Sequence, residues 1–202
     1  MASETREVIL DAALQLFAKH GFHGSSMPAL ATAAGVGSGT PYRHFESKEA
    51  LVNALYRRTK EALMGALLTD FPLDATDREQ FRAFFFRLVG FFAERPDAFD
   101  FLELHHHQPY LDDANMELER LSLAPVLAFF QRGRAERRTR AMPPEALTAI
   151  VWGLFSGLHK ALRLGHLEAS PELWAQAEAS AWDAVRRPGS RPPASGQEES
   201  ET

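Results

Sequence analysis

Residues 26–48 read Ser26-Met27-Pro28-Ala29-Leu30-Ala31-Thr32-Ala33-Ala34-Gly35-Val36-Gly37-Ser38-Gly39-Thr40-Pro41-Tyr42-Arg43-His44-Phe45-Glu46-Ser47-Lys48. A serine just ahead of Pro28 suits a helix start. The hydroxyl accepts one of the first free N–H groups, and proline needs no bond there. Gly35-Val36-Gly37 interrupts that helix. Ser38 is expected to cap a second short helix reaching Phe45, with Pro41 still inside its first turn. Ser47 is expected to cap a third, with Glu49 placed favourably for the helix dipole. Ala31, Ala33 and Ala34 are small enough for close helix packing. Two short helices around a glycine turn are the layout of a helix-turn-helix.

Working outward, helical spacing continues on both sides. Val8/Ile9, Ala12/Ala13 and Leu16/Phe17 form an amphipathic stripe that ends at Gly21. Leu51, Leu55, Leu63 and Leu67 carry the helix after Ser47 towards about Thr69. Beyond Phe71-Pro72 the composition shifts, and eleven of the fifteen phenylalanines lie between Phe71 and Phe130. Phe81, Phe84/Phe85, Leu88 and Phe92 make one stripe. Pro96 opens a short helix expected to reach about His107, and Pro109 breaks it. A long helix is expected over 112–138, bent near Pro125. Pro143-Pro144 starts an apolar helix with Leu147, Ile150/Val151, Leu154/Phe155, Leu158 and Leu162. Ser170-Pro171 starts the last, with Trp174, Ala177, Ala181/Trp182 and Val185. No strand alternation persists and no repeat is found. The expectation is an all-α fold of about nine helices. A three-helix DNA-binding head spans 1–50, a helical body 51–187, and a disordered tail 188–202.

The 202 residues are enough for one or two domains, and 45% hydrophobic with 24% charged is a globular composition. The absence of cysteine excludes a disulfide scaffold, a thiolate zinc site and a cysteine nucleophile. No apolar run approaches the roughly 18 residues of a membrane span. The first residues lack the layout of a secretory signal. A cytoplasmic protein without a membrane partner is expected. The net charge is −5. Residues 1–60 nevertheless hold seven Lys and Arg against five Asp and Glu, so a slightly basic head precedes an acidic body.

Other chemistries find little support. Gly35, Gly37 and Gly39 superficially suggest a phosphate cradle, but a dinucleotide fingerprint follows a strand, and helices flank this one. There is no nucleophile elbow. Asp74, Asp77 and Glu79 read as helix-start residues. His105, His106 and His107 are consecutive, so their side chains diverge by about 100° each and do not readily converge on one ion. Arg132, Arg134, Arg137, Arg138 and Arg140 read as a solvated helix end. No enzyme, cofactor or metal is expected.

In a helix-turn-helix the second helix presents its N-terminal residues to base edges in the major groove. Here that start offers Ser38, Gly39, Thr40, Pro41, Tyr42 and Arg43: hydroxyls, apolar surface and one guanidinium. His44 and Lys48 extend the phosphate-facing surface. The run Ala33 to Leu51 resembles the DNA-binding signature of the tetracycline-repressor (TetR) family, A-G-V-S-x-G-T-hydrophobic-Y-x-[HY]-F-x-[SN]-K-x-x-L. The likeness extends back through Gly21-Phe22, Ser25-Ser26-Met27 and Leu30-Ala31. Gly37 and Pro41 depart from it, where Ser and a large aliphatic or Phe are common. The resemblance implies that Ser25 and Ser26 hold the phosphate backbone. It implies that Thr40, Tyr42, His44 and Lys48 contact phosphates, with Thr40 and Tyr42 sometimes on bases. Ser38, Gly39, Pro41 and Arg43 match the variable reading surface, and Phe45 a buried core position.

For the body, the resemblance implies an all-helical ligand-binding and dimerisation domain whose last two helices pair with a second copy. Ile150, Gly153, Leu154, Gly157 and Leu158 suit that face, and Trp174 and Trp182 are large anchors. The phenylalanine-rich middle is the expected effector pocket, with Phe85, Phe92, Phe101, Leu104, His105, Tyr110, Phe129, Trp152 and His159 as candidates. The expectation is a homodimeric regulator, a repressor, that binds a double-stranded DNA operator and is released by a small, largely apolar effector. An activator or a partner-protein-controlled regulator is the alternative. A helical enzyme or metal-binding protein with a vestigial head is a third reading.

Overall fold

The computed structural model describes residues 2–104 and 108–189. Among them the architecture is all-α: α1 (Ala2–His20), α2 (Met27–Ala33), α3 (Thr40–His44), α4 (Lys48–Leu68), α5 (Asp77–Glu94), α6 (Pro96–Phe99), α7 (Asp113–Ala135), α8 (Pro144–Arg163) and α9 (Pro171–Val185). The described residues hold one isolated antiparallel bridge, between Thr139 and Arg186. Residues 190–202, most of the expected disordered tail, and His105 to His107 lie outside the described residues. The chain divides into two compact units, one up to Ala124 and one from Pro125.

In the first unit α1 is the central element. Its stripe of Ile9, Leu10, Ala13 and Phe17 is buried with Met27 and Leu30 of α2, Phe45, and Leu51, Val52 and Leu55 of α4. Burying one such Leu or Phe stabilises by about 1.5–3 kcal/mol, so this cluster sets the mutual angles of the first four helices. Helix α4 has 21 residues, so at about 1.5 Å each it is roughly 30 Å long. Its first half belongs to the head core, and its second half turns Leu63 and Leu67 inward. The far end is closed by Arg87 of α5. That guanidinium donates to the carbonyls of Leu67, Thr69 and Asp70 at 2.9, 2.6 and 3.0 Å. The Leu67 and Thr69 carbonyls are among those that a helix end leaves without intrahelical partners.

Helix α5 starts on a reciprocal cap. The Glu79 amide donates to Thr76 Oγ1 at 3.3 Å, and the Thr76 amide donates back to the Glu79 carboxylate at 2.9 Å. The helix expected from Pro96 to about His107 is α-helical only to Phe99 and widens into a π-turn over Asp100–Leu104. Within that turn Phe101 stacks on Phe17 of α1, ring centroids 6.3 Å apart. Helix α7 is shorter than the expected 112–138. Asp112 is its cap rather than its first residue, accepting the Asn115 N–H at 2.8 Å. The helix runs through Pro125, which has no N–H to offer the Leu121 carbonyl.

At its other end α7 closes as a Schellman turn. The Arg138 N–H meets the Gly133 carbonyl at 2.7 Å, and the Arg137 N–H meets the Arg134 carbonyl at 3.1 Å. The residue in the left-handed conformation there is Arg137, with φ +58°. The second unit also holds α8 and α9, packed together. Leu147, Val151, Phe155 and His159 of α8 are buried, as are Trp174, Ala177, Glu178, Ala181 and Val185 of α9. Phe155 stacks on both His159 and Trp174, at 5.9 and 5.8 Å.

A left-handed conformation costs an L side chain roughly 1–2 kcal/mol, and glycine escapes that cost. Arg137→Gly is therefore expected to raise unfolding stability by about 1 kcal/mol in urea titration, because the exposed arginine side chain has little packing to lose.

Candidate nucleic-acid interface

The head presents a scaffolded turn. Helix α2 begins on Ser26, whose Oγ accepts the Ala29 N–H at 3.3 Å. It ends in a second Schellman turn, in which the Gly35 N–H meets the Thr32 carbonyl at 3.1 Å and the Val36 N–H meets the Ala31 carbonyl at 3.0 Å. Gly35 occupies the left-handed position with φ +66°. The chain then turns on a 2.8 Å bond from the Thr40 N–H to the Gly37 carbonyl and enters α3. The N-cap of α3 is Gly39 and not the expected Ser38. The backbone turn already satisfies the Thr40 donor, so a serine side chain is not needed for it. Phe45 is extended and buried, as expected, and Ser47 caps α4 by accepting the Ala50 N–H at 3.0 Å.

The outward face of this turn gathers most of the expected contact residues. Ser26, Ser38, Gly39, Tyr42 and Arg43 are exposed, and Thr40, His44 and Lys48 are half-buried. Tyr42 stands out at 54% exposure, far more than an aromatic ring takes in a core. Arg43 folds back to donate to Thr40 Oγ1 at 3.2 Å. That contact is exposed, so solvent or a ligand oxygen can replace it at little cost. Two expected residues face the other way. Pro41 is the buried residue of α3. Ser25 is 3% exposed, and its hydroxyl donates to the Gly21 carbonyl at 2.9 Å. Both shape the turn from inside instead of lining its surface.

Lys48 has surroundings that the sequence does not reveal. Its ammonium lies 4.0 Å over the ring of Phe22. Partial burial lowers its pKa from the ordinary lysine value, opposed by the Glu49 carboxylate. Phe22 in turn stacks on Tyr110 at 4.0 Å. The residues that hold α4 against the start of α7 were equally silent in sequence. Asn53 donates to the Tyr110 carbonyl at 2.8 Å and accepts from the Asp112 N–H and from Asn115 Nδ2, both at 2.8 Å. One turn on, Tyr56 donates to Glu119 Oε2 at 2.5 Å, and one turn further the Lys60 ammonium approaches the same oxygen at 2.5 Å. Burial first, and the Glu119 carboxylate second, push the Tyr56 phenol well above its ordinary pKa.

The expected effector residues do not share one environment. Phe85 and Phe92 are buried among phenylalanines, Phe92 lying edge-on to Phe99 at 5.2 Å. Phe101 belongs to the head core. Tyr110 faces Phe22 and His23. In the second unit Phe129 and Trp152 are half-buried and His159 is buried against Phe155. The Leu104 side chain and His105 lie outside the described residues. Among the expected interface residues, Gly153 and Gly157 are exposed, and Ile150, Leu154, Leu158 and Trp182 are half-buried. Trp174 is buried and stacked on Phe155, so its ring is engaged within the second unit. Among the described residues no helix is long and apolar enough to cross a membrane. No three His, Asp or Glu residues among them gather as a metal site.

Comparison with known proteins bears on the whole chain. Residues 9–55 match the family described as bacterial regulatory proteins, tetR family. Residues 56–187 match the tetracyclin repressor-like C-terminal domain. The head is 43% identical over 60 residues to the HTH-type transcriptional regulator UidR of Escherichia coli K12, covering 30% of this chain and 31% of that protein. It is 40% identical over 63 residues to the HTH-type transcriptional repressor KstR2 of Rhodococcus jostii, covering 31% of each. The chain thus spans less than a third of the length of these curated relatives. A crystal structure of a TetR family transcription regulator from Marinobacter aquaeolei VT8 superposes with a TM-score of 0.82 at 25% identity, covering 92% of this chain and 97% of that one.

The turn between α2 and α3 is open to a simple test. A Cβ at Gly35 would meet nothing within 4 Å, so the only obstacle to alanine is the backbone angle. Gly35→Ala is expected to cost about 1–2 kcal/mol. Thermal or urea unfolding reads this directly, and an unchanged midpoint would show that the turn relaxes freely.

Proposed function

The chain belongs to the tetR family of bacterial regulatory proteins, and on that premise we propose that it is a transcriptional repressor that grips a palindromic DNA operator as a cytoplasmic homodimer and lets go when a small, largely apolar effector binds. The observation that carries this reading is the outward face of α3. The Tyr42 phenol and the Arg43 guanidinium stand exposed on a short helix held by a capped helix on either side. Such a helix start is shaped for the major groove. In this reading residues 1–50 form the DNA-binding head and 51–187 the ligand-binding and dimerisation body. Ser26, Thr40, Tyr42, His44 and Lys48 hold phosphates, and Ser38, Gly39 and Arg43 read bases. We assign the chain no catalytic activity, cofactor or metal.

The outward strip of α8 supports the dimer. On the side of α8 away from Leu147, Val151 and Phe155 stand the exposed Gly153 and Gly157, with Ile150, Leu154 and Leu158 half-buried between them and the core. Two glycines four apart let a second helix approach closely, and the flanking aliphatics supply apolar area. Trp182 is the aromatic anchor we assign to this face. A two-fold dimer can set two α3 helices about 34–36 Å apart, on successive turns of one side of a palindrome.

The effector belongs to the aromatic body, and α4 supplies the coupling. Its start lies in the head core and its end packs on α5, so a ligand that favours a different tilt of α4 shifts the spacing of the two α3 helices. The linkage is reciprocal: operator binding must weaken effector binding by the same factor.

Selection of duplexes from a randomised library, followed by a mobility-shift assay, tests the reading as a whole; failure to enrich any sequence would overturn it. On the selected duplex, Tyr42→Ala is expected to weaken binding to specific and non-specific DNA alike, by about tenfold at moderate salt. Arg43→Ala is expected to change the selected sequence instead, by roughly 1–3 kcal/mol at one base position. For the dimer, Leu154→Glu or Trp182→Ala is expected to shift sedimentation towards monomer while helicity is retained. An unaltered profile would reject this face.

A further inference from the structure

Tyr110 lies between the π-turn and α7, outside the helix-turn-helix, yet its ring and hydroxyl contact the head and its carbonyl contacts α4. Its ring stacks on Phe22 at 4.0 Å with the planes 18° apart. Its hydroxyl shares a 2.6 Å hydrogen bond with Nε2 of His23. Its carbonyl accepts from Asn53 of α4 at 2.8 Å. Phe22 and His23 form the link between α1 and α2, just ahead of the buried Ser25 and the capping Ser26. On Phe22 rests the Lys48 ammonium, 4.0 Å from the ring centre.

We infer that Tyr110 is a positioning residue for DNA binding: its ring sets Phe22, and Phe22 sets the Lys48 ammonium that meets the phosphate backbone. The inference rests on the reading of this chain as a DNA-binding regulator and names the side chain through which a segment outside residues 1–50 acts on that surface.

The physical argument has three steps. A lysine side chain has several rotatable bonds and keeps much of its rotamer freedom on a bare surface. A cation placed over an aromatic face is held there by the ring quadrupole, so the ammonium is pre-positioned before DNA arrives. The ring that holds it must itself be held, and Phe22 is only half-buried. Tyr110 supplies the second face of that stack, and the His23 hydrogen bond stops the tyrosine ring from swinging away. Tyr110 is fixed in turn, because Asn53 binds its carbonyl while also binding the Asp112 amide and Asn115. The series Asn53, Tyr110, Phe22, Lys48 therefore runs from the interior of α4 to the proposed phosphate contact. A change in the segment before α7 moves a DNA-facing charge without any movement of α3.

The test uses the full chain and the duplex that the wild-type chain selects from a randomised library, with binding read by fluorescence anisotropy from low to moderate salt. Lys48→Ala is expected to weaken binding about tenfold and to lower the salt slope by about one. Tyr110→Ala is expected to weaken binding about fivefold, with most of the same loss of slope. The double variant is expected to bind no more weakly than Lys48→Ala alone, because the two residues act through one contact. Tyr110→Phe keeps the stack and is expected to stay within about threefold of wild type. Two results would overturn the inference: Tyr110→Ala binding as wild type, or the two losses multiplying in the double variant. A merely structural role for Tyr110 would give that second result. If Tyr110→Ala does not fold, as judged by circular dichroism, Tyr110→Leu keeps the apolar volume and is put through the same double comparison. A wild-type chain that selects no duplex sinks the parent reading. A wild-type chain that selects one, with variants that do not couple, sinks this inference alone.

Discussion

A helix of about 30 Å that is buried along one side for its whole length cannot be bent at one end without disturbing the other. Helix α4 is under that constraint, and the first unit is arranged around it. Its first turns put Leu51, Val52 and Leu55 into the same core as Ile9, Leu10 and Phe17 of α1 and Leu30 of α2. Its last turns put Leu63 and Leu67 inward, and Arg87 closes its terminal carbonyls. The head is therefore not a bead on a flexible tether. Its orientation is set by the direction of α4, and that direction answers to whatever packs on the later turns.

Apolar packing alone would let α4 slide or roll by small amounts, since one aliphatic contact is easily exchanged for another. Polar contacts do not tolerate this. Asn115 is fully buried, and its amide is paired with the side chain and carbonyl of Asn53. Tyr56 and Lys60 converge on a single Glu119 oxygen. Removing one partner from such a site leaves a buried group without its hydrogen bond, which costs about 1–3 kcal/mol. A small roll of α4 against α7 would break several of these bonds together. The interface accordingly favours discrete registers over a continuum, the property that a switch requires.

How much of this could be read from the chain depended on the range of the interaction. Ser26, Ser47 and Ser170 cap helices where the sequence places them, because a cap is a contact over three residues. Gly35 sits at the left-handed turn for the same local reason. Ser38 fails as a cap because a backbone bond from Thr40 to Gly37 does its work, and composition cannot rank a side-chain bond against a backbone one. The resemblance in the head identified the family, and the solved relative bears out the all-helical fold. Longer-range contacts left no signature. Tyr110 and Phe101 read as pocket residues because they lie in an aromatic-rich stretch, yet both turn to the head. Phe22 and His23 meet Tyr110 across almost ninety residues. Asn53 and Asn115 were ordinary polar residues until the fold set them side by side.

The outward faces of α3 and α8 differ in their chemistry. Around α3 the exposed groups are a phenol, hydroxyls, a guanidinium and, half-buried at the edge, an ammonium already resting on a ring. Every one of them donates hydrogen bonds, and two carry positive charge, so a phosphate-bearing partner satisfies them while a greasy surface would strand them. On α8 the outward groups include Gly153 and Gly157, with the half-buried aliphatics Ile150, Leu154 and Leu158 beside them. In the proposed dimer a second helix covers those glycines and aliphatics. The two faces lie on the two separate units of the chain, so a change that weakens one need not weaken the other. In the proposed dimer their joint effect on an operator is a matter of geometry, with the strip on α8 pairing the two copies and α4 setting the spacing of their α3 helices.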